Sequence, residues 1–65
     1  MKTEIINTLR ASYVAEINKI ALNVQIMLAN PMAIHDHTDY TGAIEAELDK
    51  IAAYQDRIDA LNLIK

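Results

Sequence analysis

The residues most able to do chemistry lie in one short cluster, His35-Asp36-His37-Thr38-Asp39. Imidazole and carboxylate groups are normal ligands of a zinc-like ion, and the chain has no cysteine to offer thiolates. A metal-binding module built on His35, His37 and Asp39 is therefore one hypothesis, in which symmetry between subunits would complete the ligand set. In the simpler alternative, Asp36 satisfies backbone groups of a turn and the histidines are solvated.

Residue patterns typical of catalysis are lacking. Di-iron bundles use a Glu-x-x-His pair on facing helices, and the chain contains no such pair. Its single serine, Ser12, is distant in sequence from either histidine. Asp56 and Asp59 form one acidic pair, whereas the all-α nucleotide pyrophosphatases place such pairs on two helices around magnesium. The sequence therefore predicts a protein that is not an enzyme and uses no cofactor.

Two long helices are predicted on either side of the histidine cluster. The first runs from about residue 3 to residue 29 and ends at Asn30-Pro31, because proline cannot continue the hydrogen-bond ladder. After a turn over 30–37, the second helix runs from about 38 to 64, with Thr38 as a plausible N-cap. Apolar residues at three- and four-residue steps predict the seam along which the helices pack. These seam residues are Ile6, Tyr13, Ile17, Ile20, Val24 and Met27 on the first helix, and Tyr40, Ile44, Ile51, Tyr54, Ile58 and Leu61 on the second.

The seam is expected to be wide, with one polar interruption on each helix. Arg10 and Glu47 take seam positions, and an ion pair between them, within the chain or between subunits, could fix the register. The widening residues are Leu9, Val14, Ala21, Leu28, Ala43 and Leu48.

The first helix carries a second apolar strip on the side opposite its seam, formed by Ala11, Ala15, Leu22 and Ile26. One partner helix covers only one stripe, so this strip indicates self-association. A chain of 65 residues without disulfides also needs some such reinforcement. The predicted subunit interface comprises Tyr13, Ile17, Ile20, Leu22, Val24, Ile26, Ile51, Tyr54 and Ile58.

The predicted fold class is all-α, with the whole chain, 1–65, forming one domain. Two helices of similar length joined by a short connection lie antiparallel, as a helical hairpin. Two such hairpins would make a four-helix bundle, so a homo-oligomer, dimer or tetramer, is expected. A trimer or a larger ring would also bury the second strip.

Charge and hydropathy argue against nucleic-acid and membrane partners. The net charge is −3, with one positive charge in excess over residues 1–34 and four negative charges in excess over 35–65. A nucleic-acid binder needs a basic patch, and the basic residues here are scattered. The longest uncharged run, 20–34, is 15 residues, whereas a spanning helix needs about 20. Glu4 does not fit the basic start of a signal peptide, so a soluble, cytoplasmic protein is expected.

The central part of the chain resembles small helical proteins of T4-like bacteriophages of marine bacteria. The similarity covers roughly residues 28–58, through the stretch Asn30–Asp39 and the acidic helical segment Ile44–Ala52. Where those proteins commonly have His-Pro at the start of the second helix, this chain has His37-Thr38. The resemblance implies a phage origin, and hence the host cytoplasm, and it transfers no catalytic residues.

Three classes of function follow from these observations. The leading hypothesis is a structural or interaction protein, a phage-type accessory factor that associates with itself and with a host or virion protein. The second is the metal-binding module on the histidine turn. The third is an acidic regulator or mimic that acts on a DNA-binding protein, which requires the carboxylates of the second helix to line one exposed stripe.

Overall fold

A computed structural model describes residues 1–29 and 40–64, and these residues form two helices and no strand. Helix α1 spans Lys2–Ala29 and helix α2 spans Tyr40–Leu61. The two helices pack against each other, so the expected all-α class is confirmed for the described residues.

The start of α1 is stabilised by an acidic residue in its first turn. The carboxylate of Glu4 forms an ion pair with the amino group of Met1, with the nitrogen 3.1 Å from Oε1. A negative charge at this end complements the positive end of the helix dipole and balances the terminal ammonium. No glycine or proline follows within the helix, which continues without interruption for 28 residues.

Contacts between the helices show that they run antiparallel. Near the start of α1, Arg10 donates a hydrogen bond to the side-chain carbonyl of Asn62 at 3.1 Å, just beyond the end of α2. Near the end of α1, the hydroxyl of Tyr40 donates to the backbone carbonyl of Met27. The start of each helix therefore lies beside the end of the other, consistent with a helical hairpin.

The predicted seam forms the core of this pair of helices. Among residues 1–29 and 40–64 two are buried, Ile20 with 5% of its surface exposed and Leu61 with 8%, and both are seam positions. Every other predicted seam residue is half-buried. A helix that packs on one partner helix buries only a narrow stripe of its surface. This explains why few residues are buried within one chain.

The predicted widening of the seam is largely wrong. Leu9, Val14 and Leu28 are 39%, 43% and 60% exposed, and Leu48 on α2 is 49% exposed. These side chains lie on the flanks of their helices, beyond the reach of a single neighbouring helix. More apolar surface therefore faces outward than the pattern predicts.

Helix α2 ends at Leu61, before the end predicted from the apolar pattern at residue 64. The backbone N–H of Leu63 donates to the carbonyl of Ala60, and that of Ile64 donates to the carbonyl of Leu61, each at 3.1 Å. These bonds span three residues instead of four, so the last turn tightens. Leu63 and Ile64 consequently stand outside the packed seam, 79% and 54% exposed.

The molecule is long and thin. Its extents are 48 × 15 × 12 Å and its radius of gyration is 15.3 Å, against about 11 Å for a compact domain of this length. A compact monomer of 7.3 kDa is expected to expose about 4,200 Å², and this chain exposes 4966 Å². Neither of the two described helices has an apolar stretch long enough to cross a bilayer.

Candidate interaction surface

An aromatic and cationic cluster joins the first half of α1 to the second half of α2. The rings of Tyr13 and Tyr54 lie 5.9 Å apart, tilted by 36°. The guanidinium of Arg57 lies over both rings, 5.6 Å from the centre of Tyr13 and 5.2 Å from that of Tyr54. Offset aromatic pairs and cation–π contacts of this geometry each contribute to stability beyond area burial. The cluster therefore helps to fix the position of α1 along the axis of α2.

The seam interruptions do not form the predicted ion pair within the chain. The guanidinium of Arg10 donates to Asn62 and to the side-chain carbonyl of Asn7, the latter at 3.2 Å. Glu47 accepts from Lys50 on its own helix at 3.1 Å. Because α1 and α2 run antiparallel, Arg10 lies near the end of α2 while Glu47 lies in the first half of α2. An Arg10–Glu47 pair between copies of the chain stays a prediction.

The second apolar strip of α1 lies on the surface. Leu22 and Ile26 are 56% and 52% exposed, and Ala11 and Ala15 are exposed as well. At 3.6 residues per turn, the four residues fall on the side of α1 opposite the seam. We call these four residues the outer strip. It is the surface that α2 of the same chain cannot reach.

Few charged side chains border the outer strip. Between residues 5 and 29 the charged residues are Arg10, Glu16 and Lys19. Arg10 lies in the seam, and Lys19 lies 3.6 Å from the carboxylate of Glu16. That pair flanks the middle of the outer strip and is locally neutral.

The opposite surface of the molecule is acidic. Glu45, Asp49, Asp56 and Asp59 are exposed, and their spacing of four, seven and three residues places them on the side of α2 away from α1. Asp59 accepts a hydrogen bond from Gln55 at 3.2 Å. We call these four residues the acidic stripe. Four of the five described carboxylates of α2 therefore line one exposed stripe, whereas the fifth, Glu47, lies in the seam.

A shallow apolar groove lies at the start of α1. It is lined by Met1, Glu4, Ile5, Thr8 and Leu9, with Ile5 53% exposed. The hydroxyl of Thr8 donates a hydrogen bond to the backbone carbonyl of Glu4 at 2.8 Å. The lining of the groove runs from the side of α1 that carries the outer strip, at Glu4 and Thr8, to the flank of the seam, at Leu9.

The predicted interface residues fall into two groups in the structure. Leu22 and Ile26 are exposed on the outer strip, where a second chain could cover them. The other seven are seam residues, already buried or half-buried against the opposite helix of their own chain. This second group consists of Tyr13, Ile17, Ile20, Val24, Ile51, Tyr54 and Ile58.

The predicted metal ligands His35, His37 and Asp39 lie outside the described residues. Within residues 1–29 and 40–64 no group of three or more histidine and carboxylate side chains is placed to hold a metal ion. The metal-binding module on the histidine turn therefore stays a prediction.

Sequence reasoning missed the contact of Arg57 with the two tyrosines. The signal was present, because Arg57 follows Tyr54 by three residues and so lies on the same side of α2. Sequence reasoning also missed the groove at the start of α1, where Met1, Ile5 and Leu9 recur at four-residue spacing.

The chain matches no protein-family model, no curated protein and no solved structure.

Proposed function

We propose that this protein is a non-enzymatic structural or interaction protein whose two-helix unit associates with itself through the outer strip of α1. The observation that carries the proposal is the exposure of Leu22 and Ile26 on a helix face that α2 does not reach. Self-association would complete the core that one chain leaves open, in a dimer or a tetramer containing a four-helix assembly.

The energetics favour an assembled state. Only Ile20 and Leu61 are buried among the described residues, which is a small core for a chain of this size. Burial of apolar surface stabilises by about 25 cal/mol per Å². Covering exposed apolar surface would therefore add to the stability that the isolated helix pair already has.

The resemblance of the central stretch to small phage proteins supports a more specific role. In that role the protein is a phage accessory factor, acting in the host cytoplasm, and a host or virion protein is a further partner. The acidic stripe on α2 would stay outside a dimer formed through α1, so it would be available to such a partner.

The test compares two substitutions in the same turn of α1. Leu22→Asp places a carboxylate on the outer strip, whereas Gln25→Asp places one on an exposed position beside it. We expect Leu22→Asp to convert the assembly to a monomer of helical content close to the parent, measured by light scattering and circular dichroism. Gln25→Asp should keep the parent mass. Equal masses for Leu22→Asp and the parent protein would contradict the proposal.

A second candidate function is regulation of a DNA-binding protein by acidic mimicry. The observation that favours it is the acidic stripe, whose four carboxylates line one exposed side of α2. An array of negative charge of this kind can steer a basic surface into contact. The stripe is far from α1, so this activity is compatible with self-association.

The mimicry candidate is tested by neutralising the stripe. A variant with Glu45→Gln, Asp49→Asn, Asp56→Asn and Asp59→Asn keeps the size and shape of the side chains. The parent protein, immobilised on a resin, should retain a DNA-binding protein from an extract of the host cells, and the neutral variant should not. Retention of the same proteins by both would remove mimicry from consideration.

A further inference from the structure

We draw no further inference here: the strongest candidate, the exposed apolar side chains of Ile5, Leu63 and Ile64 at the end of the molecule where α1 begins and α2 ends, carries no proposal because nothing in the structure shows what covers them.

Discussion

The rings of Tyr13 and Tyr54 meet across the two helices with their centres 5.9 Å apart. The contact joins the first half of α1 to the second half of α2, so it reports the antiparallel pairing directly. Arg57 covers both rings from the solvent side. The helix pair is therefore held by this aromatic contact and by the burial of Ile20 and Leu61 elsewhere along the seam.

Truncating this aromatic contact should weaken the fold. We expect Tyr54→Ala to lower the free energy of unfolding by about 2 kcal/mol, less than the cost for a fully buried aromatic residue because Tyr54 is half-buried. Tyr54→Phe keeps the ring and should be close to neutral. Urea unfolding at one fixed protein concentration measures both values. Equal stability for the alanine and phenylalanine variants would show that the ring contact contributes little.

The polar interruption of the seam should contribute to specificity more than to stability. Arg10→Leu removes the hydrogen bonds to Asn7 and Asn62 and leaves Glu47 as the one polar interruption of the predicted seam. We expect the variant to remain helical but to populate several oligomeric states, because a polar seam residue restricts register and partner number. Arg10→Lys keeps the charge and should give the parent mass. Sedimentation velocity distinguishes one species from several, and a single unchanged species for Arg10→Leu would argue against this role.

Salt should not dissociate the assembly. Apolar contacts are not screened by salt, whereas repulsion between the acidic stripes of neighbouring copies is. We therefore expect the self-association constant to stay constant or rise as sodium chloride is added. Sedimentation equilibrium at low and high salt measures it. Dissociation at high salt would mean that ion pairs, instead of the outer strip, hold the copies together.

The histidine turn should prove dispensable for assembly. If His35 and His37 are solvated turn residues, the double variant His35→Ala/His37→Ala will keep the parent mass and the parent metal content, close to zero. Elemental analysis of the purified proteins after incubation with zinc chloride and gel filtration gives the metal content. Stoichiometric zinc in the parent that is lost in the double variant would favour the metal-binding module instead.

The helical pair could be predicted from the sequence because its periodicity is strong. Ile20, Val24 and Met27 repeat at helical spacing with no glycine or proline between them, and all three are buried or half-buried in the structure. The width of the buried stripe could not be predicted in the same way. Leu9 and Val14 fit an apolar pattern equally well whether they face a partner or solvent. Periodicity gives the side of the helix on which a residue lies, but not whether another helix covers that side.

The surfaces were predictable to different degrees. The outer strip could be predicted because Leu22 and Ile26 lie on the side of α1 opposite the seam. The partners of Arg10 could not, because they depend on how far one helix is shifted along the other. That shift brings Asn62 beside Arg10 and leaves Glu47 with Lys50.

The solution mass of the full chain tests the central claim most directly. Light scattering on a size-exclusion column, with and without EDTA, should give two or four times 7.3 kDa in both conditions. A mass of one chain at micromolar concentration would contradict self-association and leave the outer strip to a different protein. Dissociation in EDTA alone would contradict the apolar interface and place a metal ion at the centre of the assembly.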